Sequence, residues 1–382
     1  MHFIHLSKKP LTKNQILVDS VDFKNRLEEL VPKAKNRVYV QSMTFEGDEV
    51  GKWLIGLLLK SKAKDIRLCV DPYSKFVIND HFVFSPKYIL DASFRKEVRE
   101  TNKFLKIAQE HGIKVTITNP LGFLFLKYPF RNHKKMVVVD EVSFIGGINF
   151  SQHNFEWHDM MAELHDLRLS DLLAEDVKST GNRINQNKKN TIGSSELYFL
   201  DGWISRKKYK NIFSTLKQAK KNIYIFSPYI SDPLLSYIQN NISANVEMTV
   251  ISPKQNNKSL FKSLLLNEVL KGYFSLKLYQ NQMSHLKAIL VDDEVLIFGS
   301  SNFDFVSYYF EQEVVLVTHD KKIVLDFIEK VKNPDLSKSI PLSTLKSKRN
   351  IIALVTYKIV ISASAIIAMV HGVLRHSKNR LH

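Results

Sequence analysis

Short apolar runs alternate with polar segments along the first part of the chain in an order that predicts an α/β protein. Residues 37–45 alternate as a strand does, residues 50–60 form a helical stretch, and residues 66–70 form a second strand that ends at Asp71. A strand, a helix and a strand in this order normally imply two parallel strands joined by a right-handed crossover. We therefore expect a β-α-β unit here.

The same order of elements recurs in the second part of the chain. Residues 222–228 form a strand, a helix follows over 233–240, and 246–253 form the next strand. A repeated supersecondary unit is typical of an internal duplication. We expect two similar halves of the α/β class.

The composition of the chain predicts where these halves begin and end. Residues 170–195 are polar and rich in Asn, Lys and Ser, which is typical of a linker. The first half would then cover residues 1–169 and the second 196–335. Residues 346–382 would form a separate tail.

Each half carries the same signature, a His and a Lys two residues apart followed by four apolar residues and an Asp. The two copies are His133, Lys135 and Asp140, and His285, Lys287 and Asp292. A turn with glycine follows each copy and ends at Asn149, 16 residues after the first histidine, and at Asn302, 17 residues after the second. Two ordered copies make a chance match far less credible than one short motif would.

This signature suits phosphate chemistry. Residues two apart on a strand point to the same face, so each His shares a face with its Lys. A His can act as nucleophile or as general acid and base, while Lys and Asn stabilise phosphoryl oxygens. We expect neither a metal nor another cofactor, because the lysines repel cations and Cys69 is the single cysteine.

These motifs resemble those of the phospholipase D superfamily, and within it those of bacterial cardiolipin synthases. The resemblance covers about residues 30–320 and rests on five ordered segments: Arg131-Asn-His-Lys-Lys135, Gly146-Gly-Ile-Asn149, Trp157-His-Asp159, Gly299-Ser-Ser-Asn302-Phe-Asp304 and Glu313-Val314. The resemblance implies two similar phospholipase D-like α/β/α halves, each with a mixed β-sheet flanked by helices, packed pseudo-symmetrically around one active site and followed by a C-terminal hydrophobic helix. Two such halves in one chain imply that a monomer could be catalytically complete.

The resemblance also implies roles for the site residues. His133 would attack phosphorus and form a covalent phosphohistidine, and His285 would protonate the leaving alcohol and then activate the incoming one. Phosphoryl oxygens would be held by Lys135, Lys287, Asn149 and Asn302, and the histidines oriented by Glu313 and Asp159. The candidate catalytic set also includes Asp140 and Asp292 as members of the signature, although their position after the strand favours a structural role.

Two features depart from the family pattern. Known cardiolipin synthases usually carry N-terminal membrane helices, whereas the candidate anchor of this sequence is C-terminal. The family often has Trp-Arg-Asp where this chain has Trp157, His158 and Asp159. Both departures leave open which lipid donates the phosphatidyl group and which alcohol accepts it.

Charge and hydropathy favour a membrane location for the protein. The formal net charge is +17, which predicts contact with anions, and residues 351–374 form an apolar stretch in which Lys358 is the charged residue. This stretch is long enough to span a bilayer, but it could also lie on the membrane surface or pack on the protein. The basic residues of this region are Lys346, Lys348, Arg349, Lys358, Arg375, Lys378 and Arg380. We expect association with an anionic phospholipid membrane, at its cytoplasmic face.

A second apolar segment lies just before the first signature. Residues 121–130 are rich in Leu and Phe, which is typical of a buried strand. The same composition would also suit an exposed lip at the mouth of the active site that dips into lipid.

The sequence favours transfer of a phosphatidyl group between membrane phospholipids, as in cardiolipin synthesis. Hydrolysis of phospholipids and cleavage of nucleic acid by a nuclease of the same superfamily are the alternatives. The basic charge supports a nuclease equally, but the apolar tail argues against nucleic acid as the partner. A non-enzymatic membrane binder is disfavoured by the intact His, Lys and Asn sets.

Overall fold

The computed structural model describes residues 14–342, with gaps at 79, 83–84, 86, 89 and 182–185, together with residues 351–378. The basic residues Lys346, Lys348, Arg349 and Arg380 of the expected tail lie outside the described residues.

The first half consists of a mixed sheet with helices on its faces, as the sequence predicts. Its strands are β1 (Gln15–Val18), β2 (Arg37–Ser42), β3 (Asp65–Val70), β4 (Val77–Ile78), β5 (His81–Phe82), β6 (Lys114–Ile117), β7 (Met136–Val139), β8 (Val142–Gly146) and β9 (Met160–His165). Its helices are α1 (Asp19–Leu30), α2 (Glu49–Leu59), α3 (Ala92–Glu110), α4 (Gln152–Phe155) and α5 (Leu167–Gly181). The Asp48 side chain caps α2 by accepting hydrogen bonds from the backbone N–H groups of Val50 and Gly51.

The second half repeats this plan and adds strands at its edges. Its strands are β10 (Lys189–Ile192), β11 (Ser195–Asp201), β12 (Asn222–Phe226), β13 (Glu247–Pro253), β14 (Ser275–Tyr279), β15 (Ala288–Val291), β16 (Val295–Gly299), β17 (Gln312–Thr318) and β18 (Ser339–Pro341). Its helices are α6 (Arg206–Leu216), α7 (Leu234–Asn241), α8 (Ser259–Val269), α9 (Phe305–Tyr309), α10 (Lys321–Phe327) and α11 (Asn333–Ser337), and the chain ends in α12 (Ile351–Lys378).

The two sheets share one topology, which confirms the duplication. The first has the strand order β1-β9-β8-β7-β2-β3-β6, and the second contains β11-β17-β16-β15-β12-β13-β14 in the corresponding positions. The predicted β-α-β units pair β2 with β3 and β12 with β13 in parallel, while β7 and β15 run antiparallel to their neighbours. The β7 and β15 strands each begin one residue after the signature lysine.

A single hydrophobic core joins the two sheets. It contains residues of both halves, including Val138, Ile145 and Ala162 of the first sheet and Ala288, Leu290 and Phe298 of the second. Because these buried residues contact one another, the halves pack as one unit with the signature strands close together.

The segment expected as a polar linker, residues 170–195, is mostly regular structure. Residues up to Gly181 belong to α5, whose Leu173 and Val177 are fully buried in the shared core, and β10 follows. The apolar residues of α5 recur every four residues, as in an amphipathic helix. The polar residues around them make this spacing hard to recognise in the sequence.

Candidate active site

Backbone hydrogen bonds between the halves place the first signature histidine beside the second half. The His133 N–H donates to the Gln312 carbonyl at 2.9 Å, and the Gln312 N–H donates to the Arg131 carbonyl at 2.9 Å. This short parallel bridge brings Glu313, the residue after Gln312, next to the His133 ring.

A second bridge does the same for the other histidine. The His158 N–H donates to the Met283 carbonyl at 2.9 Å, and the His285 N–H donates to the His158 carbonyl at 2.7 Å. Asp159 follows His158 and is thereby brought to the ring of His285. The pseudo-symmetry of the fold therefore extends to the backbone contacts of the site.

Each histidine is hydrogen-bonded to a carboxylate from the opposite half. Nδ1 of His133 lies 2.9 Å from Glu313 Oε1, and Nδ1 of His285 lies 2.8 Å from Asp159 Oδ2. A carboxylate accepts the Nδ1 proton, which leaves the Nε2 lone pair of the neutral ring available for chemistry. Lys287 Nζ lies 2.8 Å from Nδ1 and 3.2 Å from Nε2 of His285, so its charge is adjacent to the ring.

The turns with glycine serve these carboxylates rather than the phosphate directly. A Cβ atom at Gly147 would lie 2.3 Å from the Asp159 carboxylate oxygens, so a larger residue would displace Asp159. The second half has Ser300 at this place, and the hydroxyls of Ser300 and Ser307 donate to Glu313. The lack of a side chain at Gly147 therefore lets the backbone of this turn approach the Asp159 carboxylate.

A cavity of about 230 Å³ lies where the halves meet. The signature histidines and the asparagines Asn149 and Asn302 all line it. The remaining lining residues include Tyr73, Tyr128, Trp157, Tyr229, Lys258, Asp304 and Glu311. The signature lysines Lys135 and Lys287 are fully buried beside the histidines.

Burial sets the protonation of this site. It lowers the pKa of His133 to about 3, with Glu311 opposing the shift and Lys135 reinforcing it. Burial and the adjacent Lys287 also lower the pKa of His285 well below its usual value. Both imidazoles are therefore neutral at neutral pH, the form a nucleophile or base requires.

The buried lysine of the first signature also titrates in an unusual range. Burial lowers the pKa of Lys135 to about 7, although Glu313 favours its charged form. Burial raises the pKa of the neighbouring Glu311 to about 7. A bound phosphodiester anion would favour the ammonium of Lys135 and disfavour the carboxylate of Glu311.

The two asparagines are held differently. Asn149 accepts hydrogen bonds from Ser42 Oγ and the Thr44 N–H, and its amide nitrogen donates to Asn154 at 2.8 Å. The amide oxygen of Asn302 is buried with no hydrogen-bond partner in the part of the chain that the structure describes. The Asn302 side chain makes no hydrogen bond within the described residues, so its amide nitrogen is available to donate to a ligand, whereas the amide nitrogen of Asn149 is engaged by Asn154.

The aspartates of the signature lie away from this chemistry. Each follows its strand and accepts three backbone N–H bonds, Asp140 from residues 35–37 and Asp292 from residues 220–222. These bonds hold the end of the signature strand against the start of the first strand of the β-α-β unit. The inclusion of the two aspartates in the catalytic set is therefore corrected to a structural role.

Two cations near the first signature are structural rather than part of a phosphate site. The Lys134 ammonium forms a buried ion pair with Asp176 of α5, on the opposite side of the strand from Lys135. Arg131 lines the cavity, but its guanidinium donates to Asp71 at 2.8 Å. Strand alternation explains why neighbouring lysines point to different environments.

His158 stands where the family often has an arginine, and it carries a positive charge as an arginine would. Its Nδ1 lies 2.7 Å from Asp19 and its Nε2 lies 3.0 Å from Asp335. Burial alone would lower its pKa, but these hydrogen bonds raise the pKa to about 9. His158 is therefore a cation at neutral pH that connects the two halves.

Several residues that line the cavity carry little signal in the sequence. Glu311 lies two residues before Glu313, so strand alternation places both on one face, and its Oε2 is 3.8 Å from His133 Nδ1. Lys258 lies outside the motifs, and Asp304 is the last residue of the segment Gly299–Asp304 but has no role assigned from the sequence. Tyr229 lines the cavity, whereas Phe45 is fully buried in the core.

The structure describes two clusters with the spacing of metal ligands. One comprises His133, Glu311 and Glu313, and the other Glu46, Asp48 and Glu97. In the first cluster the histidine is already hydrogen-bonded to Glu313, and the ammonium groups of the signature lysines disfavour a cation. The expectation of a metal-independent site stays a prediction.

The segment before the first signature is exposed rather than a buried strand. Residues 123–126 form a turn whose four side chains are largely in solvent, with Phe123 80% and Leu124 73% exposed. The prediction of a core strand is wrong here, because the turn projects away from the sheet. We call residues 123–126 the lip.

Comparison with known proteins identifies the family to which the chain belongs. Residues 27–180 and 212–333 match the family described as "Cardiolipin synthase, PLD-like domain". The minor cardiolipin synthase ClsB of Bacillus subtilis is 26% identical over 278 residues, which are 66% of this chain and 67% of the relative. Cardiolipin synthase 1 of Bacillus cereus is 22% identical over 354 residues, 82% of this chain. The chain spans 65% of the length of that B. cereus relative.

Solved structures share the fold. The phosphatidylserine synthase of Haemophilus influenzae has a TM-score of 0.69 at 17% identity, over 93% of this chain and 94% of that one. The polyphosphate kinase of Porphyromonas gingivalis has a TM-score of 0.55 at 9% identity, over 83% of this chain and 50% of that one. At these identities the likeness concerns the fold alone.

Proposed function

Because the chain belongs to the cardiolipin synthase family with PLD-like domains, we propose that it transfers phosphatidyl groups between alcohols through a covalent phosphohistidine. The observation that carries this proposal is the reciprocal pairing of the two histidines with carboxylates at one cavity. Two imidazoles that are oriented by carboxylates at Nδ1 are what a double displacement at phosphorus requires.

In the first step, Nε2 of His133 attacks the phosphorus of a phospholipid. The bond from phosphorus to the headgroup oxygen breaks, and His285 gives its Nε2 proton to that oxygen. Lys135, Lys287 and Asn302 stabilise the negative phosphoryl oxygens. Glu313 accepts the Nδ1 proton of His133 and stabilises the positive charge that develops on the ring.

His285 must carry a second proton to act as an acid in that step. The free enzyme disfavours this form, because burial and Lys287 lower the pKa of His285. A bound phosphodiester offsets the lysine charges, so the pKa of His285 rises when the substrate enters. We infer that substrate binding itself prepares the acid.

In the second step, an alcohol replaces the first leaving group. Neutral His285 removes the proton of the incoming hydroxyl, the oxygen attacks phosphorus, and the bond to His133 breaks. With phosphatidylglycerol as donor and acceptor, the products are cardiolipin and glycerol. With water as acceptor, the product is phosphatidate, which is the hydrolytic alternative.

The membrane lipid is the favoured substrate class because the exposed lip lies close to the cavity mouth. Tyr128 and Pro129 line the cavity, and the lip precedes them directly in the chain. The relatives named as cardiolipin synthases support the same substrate class. The lone Cys69, a free thiol, fits the reducing side of a membrane, so we assign the protein to the cytoplasmic face.

The test uses the purified chain in mixed micelles. Labelled phosphatidylglycerol and, in parallel, labelled single-stranded DNA are incubated with wild type, His133→Ala and His285→Ala. His111→Ala is the matched control, since His111 is exposed at the end of α3. We expect wild type and His111→Ala to form cardiolipin or phosphatidate. In both signature variants the rate of lipid turnover should fall at least 1,000-fold. Cleaved DNA with unchanged lipid would overturn the proposal and favour the nuclease.

A further inference from the structure

The C-terminal helix α12 has the length and apolar composition of a membrane span over Ile351–Val373. It nevertheless packs along the second half of the protein. Near its start, the Tyr357 hydroxyl accepts a hydrogen bond from the Asp232 N–H at 2.9 Å and donates to the Asp232 carboxylate at 3.0 Å. Near its end, the His371 ring stacks on Phe130 with centroids 3.8 Å apart.

The middle of α12 is in contact as well. Ser364 and Ala368 are buried, and a Cβ atom at Gly372 would lie 3.2 Å from the Trp203 ring. These three small residues recur every four positions, so one face of the helix approaches the protein closely. From Tyr357 to His371 the helix is held over about 20 Å, given the usual rise of 1.5 Å per residue.

The opposite face of α12 is apolar and exposed. Its side chains include Ile351, Ile352, Val355, Ile359, Ile366, Ile367, Val370 and Val373, all between 49% and 80% exposed. The lip lies four residues before Phe130, the ring on which His371 stacks. The stacking of His371 therefore brings the end of α12 to the segment that joins the lip to the first signature.

Basic residues border this apolar surface. Arg206, Lys207 and Lys210 of α6 line a shallow hollow with Pro233 and Tyr308, beside the Asp232 that holds Tyr357. The Arg206 guanidinium lies over the Trp203 ring that Gly372 approaches. Within the described ranges, no carboxylate pairs with these three cations.

We propose that α12 lies along a membrane surface rather than across it. Its exposed face, the lip and the three α6 cations form one surface that binds an anionic phospholipid bilayer, with the cavity mouth towards the lipid. Because α12 is held at both ends against a domain that carries exposed charged residues, it cannot cross the hydrocarbon unless that domain enters it as well. The orientation rests on the proposed function, since it presents phosphodiesters to the signature histidines.

Depth measurements test the orientation of α12. Ile352→Cys, Ile359→Cys and Val373→Cys are each labelled with bimane on vesicles with one third phosphatidylglycerol. Cys69 stays unlabelled because it is buried and burial raises its thiol pKa to about 11. We expect lipids brominated near the headgroup to quench all three probes equally and better than deeply brominated lipids. The proposal would be overturned if deeply brominated lipids quenched the probe at Ile359 most strongly, or if no probe were quenched at any site.

A charge variant tests the basic border. Arg206→Ala/Lys207→Ala/Lys210→Ala should bind these vesicles about 100-fold more weakly, since each basic residue near an anionic surface contributes about a factor of five. The matched control is Lys60→Ala/Lys62→Ala/Lys64→Ala, which removes three exposed cations from the first half. Equal loss in both variants, or no loss in the first, would contradict the assigned surface.

A soluble substrate separates this proposal from the proposed function. Dibutyroyl phosphatidylglycerol below its micellar concentration needs no membrane, so the α6 variant should turn it over at the wild-type rate and lose activity on vesicles alone. Turnover of the soluble lipid with unimpaired vesicle binding in the α6 variant would refute the docking surface and leave the chemistry intact. Absence of turnover in wild type would refute the chemistry while the depth measurements still decide the orientation.

Discussion

The Glu313 carboxylate of the second half accepts a hydrogen bond from Nδ1 of His133 in the first half, over 2.9 Å. Asp159 and His285 form the reverse pair. In each case the backbone N–H of the histidine donates to the carbonyl of the residue just before the carboxylate. Each half therefore supplies a histidine and orients the histidine of the other.

The Glu313 pairing predicts a strong effect of a subtle substitution. Glu313→Gln keeps an oxygen that can accept the Nδ1 proton but removes the charge that stabilises the His133 ring after attack. We expect kcat to fall by about 100-fold or more with little change in KM, as for other groups that act on the transition state. Steady-state kinetics on phosphatidylglycerol measure this, and Asp159→Asn should behave alike.

Glu294→Gln is the control for this pair, since Glu294 is exposed on the turn between β15 and β16. Unchanged kcat in Glu313→Gln would show that the carboxylate does not orient a catalytic histidine.

The pKa of Lys135 predicts a loss of activity at alkaline pH. The ammonium is present below a pKa of about 7 and is lost above it, so its attraction for phosphate disappears as the pH rises. Because kcat/KM reports the free enzyme, we expect kcat/KM to decline above pH 7 while kcat declines less. Glu311, whose pKa is also about 7, becomes negative over the same range and adds to the decline.

Two substitutions separate these contributions. Glu311→Gln removes the carboxylate, so the decline that remains belongs to Lys135. Adding Lys135→Arg to that variant keeps a permanent charge and should flatten the profile, at a lower absolute rate. A decline that persists unchanged in the double variant would assign it to another group.

Adjacent lysines should have opposite phenotypes. Lys135→Ala should fold normally and lose at least 100-fold in kcat/KM, because it removes a charge beside the phosphate site. Lys134→Met leaves Asp176 buried without its ion-pair partner and should lower the free energy of unfolding by about 3–5 kcal/mol. Urea unfolding and kinetics on both variants check this.

Lys134→Met/Asp176→Leu removes both buried charges and should recover most of that stability. If Lys134→Met lost activity without losing stability, Lys134 would belong to the catalytic site rather than to a structural ion pair.

His158 predicts a pH-dependent stability. Its folded-state pKa of about 9 exceeds the usual 6.5, so its contribution is complete below about pH 6.5 and is lost as the pH rises through 9. The shift corresponds to at most about 3 kcal/mol. Wild type should therefore exceed His158→Gln in free energy of unfolding by more at pH 6 than at pH 10. A difference independent of pH would mean that His158 is neutral in the folded protein.

The periodicity of the sequence was sufficient for the duplicated fold and for the shared face of His133 and Lys135. These features follow from strand alternation and from the repeated order of elements. The opposite direction of Lys134 follows from the same alternation, but its partner Asp176 lies 42 residues away and carries no local signal. Burial of an ion pair depends on how α5 packs, which periodicity does not specify.

Other features depended on contacts between distant segments. Residues 121–130 are as apolar as a core strand, and the structure exposes the lip because those residues turn away before the signature begins. The apolar stretch of α12 satisfies the length of a membrane span, while its small residues and Tyr357 match a specific surface of the second half. Composition cannot distinguish a lipid contact from a protein contact of this kind.

The most direct test of the central claim is a single-turnover burst. A phosphatidyl ester of 4-nitrophenol needs no acid for its leaving group, so His285→Ala should release one equivalent of nitrophenolate and stop with the phosphatidyl group on His133. His133→Ala should give no burst, and mass spectrometry of the quenched protein should locate the adduct. A burst in His133→Ala with the adduct on His285, or no adduct on either histidine, would contradict the account.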